Sequence, residues 1–177
     1  MTDLIGSPQM AHAKERFVCR TPVLWWSGLM YLALSIAFLI VMWAWDFLVI
    51  DEFFKRQDIL AGVADLSATQ KHVHVIVTAT LDVAYPFAYG IFQAGMAYRF
   101  LGRWGRLIAP LSLICIPVDL AEGFAQIMIL SGHLQFVETK ILVTPIKLLL
   151  YVPGLCAALV ALVIAASRRQ KVRCREG

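Results

Sequence analysis

Four long apolar segments dominate the chain and are separated by short polar connections. They cover roughly residues 23–50, 73–98, 107–131 and 141–167, within one domain of residues 23–167. Each segment reaches the ~20 apolar residues that a helix needs to cross ~30 Å of hydrocarbon. Segments of ~10 residues that alternate in polarity, as in a membrane β-barrel, do not occur in the sequence. The pattern predicts an all-α integral membrane protein, a four-transmembrane-helix bundle of up-down-up-down topology with a polar core.

A polar stripe runs along one face of each predicted span. In the third span, polar residues recur every three or four positions, which places them on one helical face. The stripes are Ser112, Cys115, Asp119, Glu122 and Gln126 in the third span; Thr78, Asp82, Tyr85, Tyr89 and Gln93 in the second; Thr144, Lys147, Tyr151 and Gly154 in the fourth; and Ser27, Tyr31, Ser35, Met42 and Asp46 in the first. We expect these polar faces to pack inward.

The distribution of basic residues predicts the orientation of the bundle. Eleven of the sixteen lysines and arginines fall in the N-terminal arm 1–22, in the link between the second and third spans, and in the basic tail 168–177. The opposite side has four, which are Lys55, Arg56, Lys71 and Lys140. The positive-inside rule then places both termini in the cytoplasm, and we expect a bacterial inner membrane as the location. The net charge of +4 thus reflects topology, and no nucleic-acid partner is expected.

Four ionisable residues lie inside the predicted spans: Asp82, Asp119, Glu122 and Lys147. A charged side chain at the bilayer centre costs at least ~2.5 to 3.5 kcal/mol, so such residues usually pair with each other or line a pathway. With a rise of about 1.5 Å per residue, Asp82 and Glu122 lie roughly 14 Å from the outer ends of their spans, and Asp46 lies nearer the outer mouth. Two or three acids thus face one lysine, and we expect one carboxyl to carry a proton.

These residues fit two kinds of role. As candidate catalytic residues, Glu122 or Asp119 would donate a proton and Asp82 would accept one. Lys147 would set which acid is charged. The candidate ligand-binding residues are Asp46, Tyr85, Tyr89, Gln126 and Tyr151, which lie on the same faces. No cofactor is expected. The alternative interpretation is a structural core in which Lys147 neutralises one acid and hydroxyl groups satisfy the rest.

The histidines and the connection between the first two spans are less specific. His72, His74 and His133 fall at the outer ends of spans and could meet at a metal or haem. Residues two apart on a helix point in opposite directions, however, so interfacial histidines are favoured and no metal site is predicted. The connection 51–71 mixes apolar and charged residues, which fits either a short amphipathic helix at the outer interface or a solvated loop.

Two motifs carry a resemblance to known proteins. The segment Leu81-Asp82-Val83-Ala84-Tyr85-Pro86-Phe87-Ala88-Tyr89-Gly90, the segment Asp119-Leu120-Ala121-Glu122-Gly123, and Lys147 occur in this order. The chain resembles a group of small bacterial four-span membrane proteins with a D-x-x-x-P-x-x-Y-G and D-x-x-E pattern, and this resemblance brings no assigned activity with it.

The layout is also similar to the EXPERA superfamily of sterol isomerases and sigma-two receptors. That resemblance implies an acidic cavity for lipophilic amines or sterols, with sterol-isomerase-like proton transfer between two acids. Asp46, Asp82 and Glu122 would match the acids of the family. The intramembrane Lys147 is not part of that pattern, and the spacing from acid to proline differs.

Three functional hypotheses follow from the sequence. The first is a site in the outer half of the bundle for a lipophilic small molecule or lipid, entered from the bilayer and used for binding or for double-bond isomerisation. The second is a proton- or cation-coupled transport or channel subunit that works as a homo-oligomer. The third is a structural subunit of a membrane complex. The expected partners are membrane lipids and a lipophilic small molecule.

Overall fold

The computed structural model describes residues 18–45 and 55–173. Its helices are α1 (Thr21–Trp45), α2 (Arg56–Asp65), α3 (Ala68–Phe100), α4 (Arg103–Leu130) and α5 (Val137–Arg173), and a 3₁₀ turn, Leu134–Phe136, precedes α5. Within these residues α1, α3, α4 and the stretch Leu134–Ser167 are long and apolar enough to cross a membrane. The predicted all-α bundle with four membrane spans is confirmed.

Local sequence signals set the helix ends around α3. Ser67 caps this helix, because its hydroxyl accepts the Gln70 amide at 3.2 Å while the Gln70 side chain accepts the Ser67 amide at 3.0 Å. This reciprocal pattern is a capping box, and it starts α3 at Ala68 rather than at the predicted residue 73. Gly102, with φ of 56°, allows the tight turn from α3 into α4, since glycine enters the left-handed region without a Cβ penalty.

α3 and α4 form the central antiparallel pair of the bundle. Gly105 of α4 lies directly against the Ala97 backbone carbonyl of α3, where no side chain would fit between the helices. α5 packs against both helices, and α1 packs along α3. Within α1 the one buried residue is Leu24. α1 is therefore the most loosely held span, and its apolar surface suits contact with lipid.

The end of the bundle where α3 turns into α4 is built from small side chains. It is called the terminal end here, because α1 begins and α5 finishes there. Its buried residues include Val18, Ala94, Ala97, Ala109 and Ala157, with Leu24, Met96, Ala158 and Ala161 in a neighbouring cluster. Alanine brings helix backbones close together, and this favours van der Waals packing between spans where no hydrophobic driving force exists.

α2 covers the opposite end of the bundle, called the cap end here. Ile59 of α2 is fully buried and Val63 is nearly so. Both belong to an apolar cluster with Ile129, Leu130 and Val137, where α4 leads into α5. Of the two alternatives for the connection between the first two spans, the amphipathic helix is therefore correct for residues 56–65.

Candidate functional site

Two carboxylates and a lysine meet inside the half of the bundle nearer the cap end. Asp119 and Glu122 are three residues apart on α4, and Lys147 of α5 lies 2.6 Å from Asp119 Oδ1 and 2.7 Å from Glu122 Oε2. The two acidic side chains are 2% and 1% exposed, whereas the Lys147 side chain is 18% exposed. Ion pairs of this length offset part of the cost of removing the charges from water. Lys147 thus compensates the charges of both acids. Its side chain reaches the protein surface, whereas the side chains of the acids do not.

Lys140 belongs to the same network, and its predicted location is wrong. The sequence places it in a connection outside the membrane, but its side chain is completely buried. Its Nζ lies 3.1 Å from Glu122 Oε1 and 3.4 Å from Gln126 Oε1. The physical reason is that α5 begins at Val137, before Lys140, and that α2 covers this end of the bundle.

The second lysine changes the charge balance of the core. Lys140, Thr144 and Lys147 follow one face of α5 at spacings of four and three, and all three contact Glu122. That spacing is visible in the sequence, but the apolar run that follows Lys140 sets the predicted start of the span just after it. The expectation that the acids face a single lysine is therefore wrong, because Lys140 and Lys147 both contact Glu122. With Asp82 counted, three acids meet two lysines, and the expectation of one protonated carboxyl stays a prediction.

Asp82 of α3 lies beside this network. Its side chain is half-buried, and a Cβ added at Gly123 would be 3.3 Å from Asp82 Oδ2. Because Gly123 directly follows Glu122, the two acids lie at a similar level of the bundle. The other predicted acid, Asp46, lies outside the residues that the structure describes.

Gln126 connects Lys140 to a histidine on α3. Its side chain lies 2.7 Å from His74 Nε2 and 3.5 Å from the Thr78 hydroxyl. Because an ammonium group only donates, the Gln126 carbonyl oxygen must face Lys140 and its amide NH₂ must face His74. His74 Nε2 is then the acceptor, which makes the imidazole neutral with its proton on Nδ1.

His74, which the sequence predicts at the membrane interface, is a core residue. It is buried, whereas His72, two residues away on α3, is exposed, as helical geometry requires of such a pair. The spacing of His74, Thr78 and Asp82, four residues each, continues the polar stripe of α3 toward the cap end. This four-residue periodicity is the sequence signal that identifies His74 as a core residue. The sequence interpretation misses it because it treats His72 and His74 as a pair.

A cluster of four tyrosines continues the polar core toward the terminal end. Tyr89 donates to Asp119 Oδ2 at 2.9 Å and lies 3.2 Å from Cys115 Sγ. The ring centroids of Tyr89 and Tyr151 are 4.9 Å apart at an interplanar angle of 87°, an edge-to-face arrangement that aromatic pairs favour. Tyr31 completes the cluster with Tyr85, since their ring centroids lie 5.4 Å apart. The structure thus brings together the predicted ligand-binding residues Tyr85, Tyr89 and Tyr151, and Tyr31 of α1 joins them.

The polar core ends one turn below Tyr89. Gln93 and Ser112 are completely buried there, and neither the Gln93 amide nor the Ser112 hydroxyl has a hydrogen-bond partner within the described residues. Both side chains pack directly against Gly154 of α5, and a Cβ atom at this position would not fit. The alanine-rich packing of the terminal end begins directly below them. The described polar groups therefore do not continue through the terminal end.

The arrangement can bind a polar group within a largely apolar bundle, because the charged groups of Asp119, Glu122 and Lys147 lie close to the tyrosine hydroxyls.

Comparisons of the chain with protein-family models, with curated proteins and with solved structures find no match. The resemblances to the group of bacterial four-span proteins and to the EXPERA superfamily stay predictions.

Proposed function

We propose that this protein binds a lipophilic small molecule or lipid at the seam where α1 meets α3 and α5. The seam is defined by Tyr31, Ser35, Tyr85, Lys147 and Tyr151. The observation that carries the proposal is the exposure of Lys147. Its side chain is half-buried, whereas the two carboxylates that it contacts, those of Asp119 and Glu122, are buried. It lies one helical turn from Tyr151, on the same face of α5. A molecule in the bilayer would therefore meet a polar group at this point.

The weak attachment of α1 supports entry at this seam. Near the middle of the bundle, α1 meets α5 through a hydrogen bond of 2.7 Å between the Tyr31 and Tyr151 hydroxyls. One such bond contributes a net ~0.5 to 1.5 kcal/mol, so a ligand that offers an equivalent hydrogen bond can replace it at small cost. The apolar surface of α1 would then lie along the hydrophobic part of the ligand.

The lysine contacts of Asp119 and Glu122 favour binding over a proton donor's role for these two acids. Isomerase-like chemistry needs one acid that holds a proton and another that accepts it. With Lys140 and Lys147 both in contact with Glu122, and Lys147 also in contact with Asp119, the core has compensating cations for these two acids. The geometry therefore supports a binding site, in which Asp119 and Glu122 orient Lys147.

Native mass spectrometry of the detergent-extracted protein tests this proposal. We expect the wild type to retain a lipophilic molecule after delipidation, and the double variant Tyr31→Phe/Tyr151→Phe to lose it, because the rings stay and only the hydroxyls are removed. Tyr98→Phe is the matched control, since Tyr98 lies outside the seam and its variant should retain the molecule. Wild-type protein that holds no such molecule would instead favour a structural subunit of a membrane complex.

A further inference from the structure

Four exposed arginines lie at the terminal end of the bundle, on three different segments. Arg20 directly precedes α1, and Arg99 lies in the last turn of α3. Arg103 and Arg106 lie in the first turn of α4. The terminal end is therefore a positive surface without compensating acids among the described residues. The acids that the structure describes are Asp58, Asp65 and Glu138 at the cap end, and Asp82, Asp119 and Glu122 in the polar core.

Two of these arginines meet where α1 contacts α3. Arg99 donates from Nη1 to the Thr21 hydroxyl at 3.0 Å, and Arg20 is the residue before Thr21. The guanidinium of Arg99 is thus held beside the backbone of Arg20, whose long side chain can reach the same point from α1. Like charges this close repel each other, so an anion that contacts both would stabilise the contact between the two helices.

The same contact anchors the most loosely held span. Leu24, the one buried residue of α1, packs so closely on α3 that a Cβ added at Gly95 would lie 2.5 Å from its Cδ2. Gly95 lies one helical turn from Arg99, and Leu24 one turn from Arg20. An anion bound by the two arginines would therefore act where the attachment of α1 to the bundle is concentrated.

Exposed tryptophans identify the membrane level of this surface. Trp25 and Trp26 of α1 and Trp104 of α4 are all exposed at the terminal end, and tryptophan is enriched at the level of the lipid headgroups. The planar guanidinium of arginine donates paired hydrogen bonds to phosphate. At this level the anion that is present in every direction is the phosphate of a lipid, which makes a lipid headgroup the fitting partner.

We propose that Arg20 and Arg99 bind the phosphate of an anionic glycerophospholipid, and that this lipid holds α1 against α3. A headgroup such as glycerol leaves the phosphate charge uncompensated, whereas the ammonium of a choline headgroup offsets it. Arg103 and Arg106 add positive potential at the same end of the bundle. The proposal is independent of ligand binding at the seam, since it involves neither the tyrosine cluster nor the charge network.

Two lipids with identical acyl chains test this proposal: palmitoyl-oleoyl phosphatidylglycerol and palmitoyl-oleoyl phosphatidylcholine. Each is titrated against the delipidated full-length protein in detergent. Native mass spectrometry gives the apparent Kd, and circular dichroism gives the melting temperature. One arginine near an anionic headgroup contributes about fivefold in Kd. We therefore expect phosphatidylglycerol to bind about five- to twentyfold more tightly than phosphatidylcholine and to raise the melting temperature further.

Variants assign this preference to the two arginines. In Arg20→Gln/Arg99→Gln the preference for phosphatidylglycerol should disappear. Arg20→Gln alone leaves the hydrogen bond between Arg99 and Thr21 intact and should weaken phosphatidylglycerol binding by about fivefold. The control variant Lys55→Gln/Lys71→Gln removes the same charge at the cap end and should keep the wild-type preference.

Three outcomes would overturn the proposal. Equal affinity of the wild type for both lipids, or an equal loss of preference in the cap-end control, would show that the two arginines form no headgroup site. A lower melting temperature of the arginine variants in phosphatidylcholine as well would mean that they pair with an acid of the chain. Equal stabilisation by inorganic phosphate at the same concentration would show that the acyl chains play no part.

Discussion

Three side chains donate to the Glu122 carboxylate: Lys140, Thr144 and Lys147. Asp119 shares Lys147 at 2.6 Å, so the contacts form a chain rather than isolated pairs. Breaking a buried ion pair leaves an uncompensated charge, and this costs more than the pair itself contributes.

This argument predicts the effect of removing Lys140. Lys140→Met should lower the free energy of unfolding by about 3 kcal/mol, the lower end of the range for a broken buried pair, since Lys147 still compensates Glu122. The double variant Lys140→Met/Glu122→Gln should recover at least about half of that loss, because no unpaired acid is left. Unfolding by SDS titration in mixed micelles measures both values.

Lys71→Met is the matched control for this experiment. Lys71 lies in the first turns of α3 at the same end of the bundle and is half-exposed. Its replacement should change the free energy of unfolding by ~0.5 kcal/mol or less, as is usual for surface positions. An equal, small effect of Lys140→Met and Lys71→Met would show that Lys140 is not buried in the folded protein.

Among the helices, α3 and α4 depend on their close contact at Gly105. A Cβ at this position would lie 2.6 Å from the Ala97 carbonyl carbon. Because that atom belongs to the backbone, it cannot move away by a side-chain rotation. Gly105→Ala should therefore destabilise the protein by about 1 to 3 kcal/mol through overpacking, despite the better helix propensity of alanine. Thermal unfolding in detergent, followed by circular dichroism, measures the change.

Gly123→Ala is the contrasting substitution on the same helix. The nearest atom to its added Cβ is Asp82 Oδ2 at 3.3 Å, the end of a side chain that can shift by a few tenths of an ångström. We expect this variant to be neutral or slightly stabilised, because alanine is favoured over glycine by about 1 kcal/mol within a helix. If both variants melt at the wild-type temperature, the close contact of α3 and α4 is not present.

The spans and their inward faces were predictable because each helix repeats its own pattern locally. Ser112, Cys115, Asp119, Glu122 and Gln126 show their shared face in the sequence alone, and all five are buried. What the sequence could not provide is the arrangement between elements.

Two features of the site depend on contacts between distant segments. Lys140 is buried because α2 covers the cap end, and Tyr31 meets Tyr151 because α1 has a particular rotation against α5. The periodicity of a single segment shows that Lys140 shares a face with Thr144 and Lys147, but it does not show which other helix covers that face. The missing contact between segments also explains why the sequence predicts one lysine in the core instead of two, since the burial of Lys140 depends on it.

Across the whole molecule, the polar core is closed at the terminal end. It extends from His74 near the cap end to Gln93 and Ser112, and small apolar residues such as Ala97 and Ala109 are packed beyond. A path for protons or cations needs polar groups or water along its full length. The described residues offer none through this layer, which disfavours transport by a single chain.

We therefore expect proteoliposomes that contain the wild-type protein to show the same proton flux as empty liposomes between acidic and neutral pH. A fluorescent pH indicator trapped inside the vesicles measures the flux after a pH jump. Asp119→Asn serves as the comparison, because it alters the centre of the charge network without touching the alanine layer. Flux above that of empty liposomes that disappears in Asp119→Asn would contradict this prediction, since it would require a conducting path through the polar core. Flux that persists in Asp119→Asn would point to a path outside the polar core, such as one between chains of an oligomer.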